Sequence, residues 1–102
     1  MTDSSKLLRF AQAGDFDCFL LAGRYTLLDQ SALAEFLPHC QAHNIGIILG
    51  GAYNSGILAS DLGPDALYDY RVASPEVLAK ARRIRDVCAR YSVPLKAAAL
   101  QF

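Results

Sequence analysis

The chain has 102 residues, 53% hydrophobic and 20% charged, with ten basic residues set against ten acidic ones. This composition excludes a disordered chain, and the neutral balance gives no electrostatic ground for binding nucleic acid or an anionic membrane. A chain of this size buries roughly 60–65% of its unfolded surface, so residues 1–102 form one small domain or part of a larger one.

The opening MTDSSKLLRF lacks the apolar core of a signal peptide, and no apolar run approaches the ~20 residues of a membrane span. A cytoplasmic protein is expected. Cys18, Cys40 and Cys88 are odd in number and widely spaced, without a CxxC pair. They read as free thiols in apolar surroundings, consistent with a reducing compartment; the alternative is a redox or nucleophilic role.

Ser4 or Ser5 is placed to cap a first helix over KLLRFAQA, with Leu7, Leu8, Phe10 and Ala11 as its apolar side and Gly14 as its stop. Residues 16–22, FDCFLLA, carry bulky side chains on both faces, which predicts a strand covered on both sides, as in a parallel sheet. Gly23 ends it, and residues 24–30 are a connection. Residues 31–43 read as helix, with Leu33, Phe36, Leu37, Cys40 and Ala42 apolar. Pro38 breaks the hydrogen-bond ladder, which predicts a short first turn and a restart near Pro38. Asn44 suits a left-handed stop. Residues 45–49 form a second strand, and the order strand–helix–strand predicts a right-handed, parallel βαβ unit.

That second strand opens into GGAYNSG. An apolar strand that breaks into a glycine-rich loop places bare backbone N–H groups at the carboxyl end of a sheet, where α/β proteins bind ligands, often through phosphate. The spacing is neither GxGxxG nor a P-loop, which needs a lysine after its last glycine. Gly50, Gly51 and Gly56 permit close backbone approach, and Asn54 and Ser55 can donate to an anion. A tight strand-to-helix turn without a ligand is the other reading.

Residues 59–73 read as loop, with Gly63 and Pro64; Tyr68 and Tyr70 suggest that it packs against something. Ser74 and Pro75 cap and begin a helix whose Val77, Ala81, Ile84, Cys88 and Tyr91 form one stripe. Its remaining positions carry Lys80, Arg82, Arg83, Arg85 and Arg90, a solvated face or a phosphate-binding one. Pro94 starts a last helix, LKAAALQF, in which Leu100 and Phe102 lack a following strand to lie on. With only two strands the sheet has two open edges, so it either borrows strands from other copies of the chain or is a segment of a larger α/β fold.

Other chemistry is sparse. His39 and His43 lie four apart with Cys40 between them, but there is no further histidine to complete a zinc site, so no metal is expected. The aspartates are scattered without a spacing that forces general acid–base geometry. Arg24 and Tyr25 follow the first strand at the end where ligands bind; they line a pocket or pack the loop.

The stretches FDCFLLAGRYTLLDQ, LPHCQAHNIGIILGGAYNSGIL and VPLKAAALQF together resemble the aldo/keto reductase superfamily, and more narrowly its branch of D-threo-aldose 1-dehydrogenases, L-fucose dehydrogenases and pyridoxal 4-dehydrogenases. The resemblance covers residues 7–102. It implies a (β/α)8 TIM barrel that uses NAD or NADP without a Rossmann fold. The chain would then be part of its C-terminal half, with residues 16–22 as the sixth barrel strand, 45–49 as the seventh, and the last helix preceding the eighth. It implies that the loop formed by Gly50, Gly51, Ala52, Tyr53, Asn54, Ser55 and Gly56 wraps the cofactor pyrophosphate.

The family's catalytic Asp, Tyr, Lys and His come from the other half of the barrel. No residue here matches them, and neither Tyr25 nor Tyr53 has the context of the catalytic tyrosine. The resemblance therefore implies a partial oxidoreductase-like protein acting on aldoses or similar alcohols, inactive alone, whose partner is a further copy of itself or the rest of the barrel. A self-associating α/β domain without catalysis and a small phosphate-binding module are the alternatives.

Overall fold

The computed structural model describes residues 4–102. Four α-helices occur among them: α1 (Ser4–Ala13), α2 (Phe36–Ala42), α3 (Pro75–Arg90) and α4 (Leu95–Gln101). The strands are β1 (Cys18–Ala22), β2 (Gly46–Gly50), β3 (Leu67–Tyr68) and β4 (Arg71–Val72), and short 3-10 turns occupy Ser31–Leu33 and Ile57–Ala59. The contacts divide the chain into two compact units. One runs to Tyr25 and resumes over Asp29–Gly50; the other comprises Thr26–Leu28 and Gly51–Phe102.

In the first unit β1 and β2 pair in parallel, with Leu20 opposite Ile48 and Ala22 opposite Gly50. The α/β character and parallel βαβ order follow the sequence pattern. β1 begins two residues later than its apolar run, and β2 is shifted by one. Side chains alternate across the pair, so Phe19, Leu21, Ile45 and Ile47 point one way and join Leu7, Leu8, Ala11, Ala32, Phe36 and Cys40 in a core. The Phe19 ring meets Phe36 edge-on, centroids 5.7 Å apart.

The other face corrects the expectation of a strand buried on both sides. Leu20 is 62% exposed and Ile48 58%, and Cys18 is exposed beside them. The helices cover one face only. Phe10, expected on the apolar side of α1, is exposed as well; on that helix only Leu7, Leu8 and Ala11 are buried, and Phe10 lies about 100° round the helix from Ala11. Ser4 and Ser5 lie within the first turn of α1 rather than before it.

Pro38 falls in the first turn of α2, where its lost N–H would have had no helical partner, and the chain before it makes the separate 3-10 turn. Asn44 ends α2 at φ +56°. Its N–H bonds to the carbonyl of Gln41 and that of Ile45 to Cys40, the paired bonds of a Schellman cap. α3 closes the same way, with Ser92 at φ +58°, Ser92 N–H on Ala89 and Val93 N–H on Cys88.

In the second unit Ile57, Leu58, Leu62, Ala81, Leu95 and Ala99 form a core with Leu28. Ser74 Oγ accepts from the Val77 N–H at 3.3 Å and Pro75 is the first helical residue, as the sequence signals. Tyr91, placed at the end of the apolar stripe, is exposed, because α3 stops at Arg90 and the chain turns away. Leu100 and Phe102 are exposed on and beyond α4.

The basic positions of α3 are partly engaged. Lys80 Nζ donates to the Leu28 carbonyl at 2.9 Å, Arg82 Nη2 to that of Leu62 at 3.0 Å, and Arg85 lies 3.5 Å from Asp86. Residues 59–73 hold a feature absent from the sequence reading: β3 and β4 pair antiparallel as a small hairpin. Tyr68 packs on the core, whereas Tyr70 at the hairpin tip does not.

Candidate functional site

β2 ends at Gly50, and residues 51–56 form the loop that follows it. A Cβ at Gly50 would meet Leu20 Cδ1 at 3.7 Å and Ala22 Cβ at 3.8 Å, ordinary contacts, so packing does not require a glycine there. Gly51 and Gly56 differ. Their φ values are +63° and +100°, conformations that side chains rarely adopt. At Gly56 a Cβ would find nothing within 4 Å, so backbone shape, not crowding, selects the glycine.

Asn54 and Ser55, both non-glycine, also hold positive φ, +50° and +65°. Two tight turns result, with the Asn54 N–H on the Gly51 carbonyl and the Gly56 N–H on that of Tyr53. The N–H groups of Ala52, Tyr53 and Ser55 are not used in these turns. The loop is held from within its unit, because Tyr53 packs on the core and Ile57 and Leu58 that follow are fully buried.

The side chains take separate roles. Asn54 is only 5% exposed, so its amide is turned inward. Ser55 Oγ accepts a 2.9 Å hydrogen bond from the Tyr70 N–H, which ties the loop to the β3–β4 hairpin. Its hydroxyl proton remains able to donate elsewhere. This link joins residues 15 apart in sequence, and no local pattern signals it.

In the first unit Arg24 Nη1 lies 3.2 Å from Asp29 Oδ2 and also donates to the Gly23 carbonyl. Asp29 Oδ1 in turn accepts from the Ser31 N–H at 2.8 Å, so Arg24 braces the connection after β1. Tyr25 is half-buried against the core of the first unit. His39 and His43 stack, ring centroids 4.2 Å apart at 26°, and His43 Nδ1 hydrogen-bonds the His39 carbonyl at 2.9 Å.

Among the described residues no group of three or more His, Cys, Asp or Glu converges as a metal site would, and no helix is long and apolar enough to cross a membrane. Burial pushes the Cys40 thiol above its ordinary pKa, which holds it in the protonated, unreactive form. Clefts of about 350 Å³ open beside Lys6, Arg9 and Phe10 on α1 and, in the second unit, between Tyr68, Arg71 and Ser74.

Comparison with known proteins finds two dehydrogenases similar to this chain. The chain is 47% identical over 91 residues to pyridoxal 4-dehydrogenase of Microbacterium luteolum, a match covering 89% of this chain and 27% of that protein. It is 41% identical over 100 residues to D-threo-aldose 1-dehydrogenase of a Pseudomonas species, covering 97% of this chain and 30% of that one. The chain thus spans less than a third of the length of either relative. No family model matches, and no solved structure does.

Proposed function

We propose that this chain is the cofactor-phosphate-binding part of an NAD(P)-linked oxidoreductase of the aldo/keto reductase type, whose whole form acts on an aldose or a similar alcohol or aldehyde. The observation that carries the reading is the likeness to two dehydrogenases of different substrates. A match over 89% of the chain must include β2 and the loop after it. In this reading β1 and β2 are neighbouring strands of a (β/α)8 barrel, and Gly51, Ala52, Tyr53, Asn54, Ser55 and Gly56 sit at its ligand end.

The residues present suit a pyrophosphate. Gly51 and Gly56 leave the backbone bare, the turns leave the N–H groups of Ala52, Tyr53 and Ser55 for other acceptors, and Ser55 retains a hydroxyl proton. When bound, the nicotinamide of such a cofactor accepts or delivers hydride. The contribution of this chain is to hold and orient the phosphate end. Two polar residues near the strand ends are not placed for the alcohol proton: Tyr53 packs on the core of its unit, and Arg24 is engaged by Asp29. In this reading the proton-transfer group lies in the rest of the barrel, and because hydride transfer needs orientation and proton transfer together, the 102-residue chain alone should show no turnover.

The test is a titration of NADH and NADPH into the folded chain, followed by nicotinamide fluorescence. Saturable binding that weakens in Gly56→Val is the expected outcome. Absence of binding of both dinucleotides, or aldose oxidation by the pure chain, would overturn the proposal.

A second reading has its own support. A parallel sheet is ordinarily covered on both faces, and two strands leave two open edges. Leu20 and Ile48, exposed opposite one another, favour a chain that buries this face by self-association. Sedimentation equilibrium tests it; a strictly monomeric chain would exclude it.

A further inference from the structure

The tip of the β3–β4 hairpin carries a cost that packing does not explain. Asp69 and Tyr70 both hold positive φ, +54° and +67°. That is the requirement of the two-residue hairpin turn whose preferred second residue is glycine. Asp tolerates the left-handed region because its short side chain bonds locally; a tyrosine does not, and is an outlier there. A bulky residue persists in such a conformation only where the surrounding structure holds it there, and such residues cluster at ligand clamps. Tyr70 gains nothing within its unit, since it is 82% exposed.

Its backbone is nevertheless fixed. The Tyr70 N–H donates to Ser55 Oγ at 2.9 Å, so the residue is held against the loop over residues 51–56. Tyr68 anchors the other arm of the hairpin in the core. The same hydroxyl that the phosphate reading uses as a donor therefore also fixes the position of an exposed aromatic ring. Strain held by surrounding structure is characteristic of ligand-gripping segments.

We propose that Tyr70 is a positioning residue that stacks on a planar aromatic ring of a ligand whose phosphate lies on the loop over residues 51–56. The ligand class is an aromatic heterocycle carrying a phosphate or pyrophosphate. The inference rests on the phosphate reading above and adds to it the part of the molecule that is not phosphate. It also explains why Ser55 accepts from the hairpin instead of facing only solvent.

The experiment separates the two claims by using a probe with a ring and one without. NADH and inorganic pyrophosphate are titrated by calorimetry into the full chain, wild type, Tyr70→Gly and Tyr70→Phe, with circular dichroism to verify folding. Glycine keeps the N–H to Ser55 and removes both the strain and the ring. Tyr70→Gly is therefore expected to melt roughly 4–8 °C higher. It should bind pyrophosphate like wild type and bind NADH on the order of three- to tenfold more weakly, the loss of one aromatic stack. Tyr70→Phe should bind both probes like wild type. If Tyr70→Gly binds NADH as tightly as wild type, or loses pyrophosphate equally, the stacking role is refuted while the loop reading stands. If wild type binds neither probe, the loop reading fails and the role of Tyr70 with it.

Discussion

Leu20→Thr tests what becomes of the bare sheet face. Threonine is β-branched and suits a strand at least as well as leucine, so backbone propensity is not lost while apolar surface is. Leu20 is 62% exposed. Full burial of a leucine stabilises by about 1.5–3 kcal/mol, so the two-fifths that Leu20 buries in the single chain contribute roughly 0.6–1.1 kcal/mol. At a urea m-value near 1.5 kcal/mol/M this is a fall of roughly 0.4–0.7 M in midpoint. If a second copy covers the face, the whole leucine is buried, a threonine hydroxyl would be desolvated as well, and the loss rises to about 3 kcal/mol or more. Urea unfolding at two protein concentrations a hundredfold apart separates these cases. Self-association predicts that the wild-type midpoint rises with concentration and that Leu20→Thr removes the dependence. A concentration-independent midpoint together with the small loss would refute self-association through this face.

Leu21→Ala, one residue along and pointing the other way, should cost about 2–5 kcal/mol by the same assay, because Leu21 is 1% exposed in the core of the first unit; a loss below 1 kcal/mol would contradict that core. Ser74→Ala should lower stability by about 1 kcal/mol through the lost Val77 N–H bond, whereas Ser74→Asp should keep it. Under native conditions Cys18, exposed, should react with a thiol reagent far faster than buried Cys40; equal rates would oppose the assigned burial. Since burial raises the folded pKa of Cys40 above its ordinary value of 9.0, the unfolded chain ionises first. Stability from this group is therefore intact below the unfolded pKa and declines as pH rises toward the folded one, and Cys40→Ala should flatten that alkaline decline.

Local signals carried the fold as far as they are local. Ser74–Pro75 named the start of α3, Asn44 the stop of α2, and Pro38 the break before it, because caps and breakers act over one turn. The apolar runs located β1 and β2 to within two residues. What failed needed knowledge of neighbours. Bulky residues on both faces of β1 said that both want burial, not that both obtain it, and Leu20 does not. The β3–β4 hairpin escaped notice because Asp69–Tyr70 lacks the glycine by which such turns are recognised. At the loop after β2 the glycines were legible, but the bond from Tyr70 to Ser55 spans 15 residues and left no trace in the spacing.

The connection after β1 has a consequence for how this chain can be cut. Thr26–Leu28 belong to the second unit, although the chain on either side of them belongs to the first. Leu28 is buried in the second core, and its carbonyl receives Lys80. A boundary drawn at residue 50 would therefore yield a C-terminal piece with a leucine-sized hole and without the carbonyl that receives Lys80. The N-terminal piece would keep three residues that have lost the surroundings they pack in. No single cleavage point releases either unit whole.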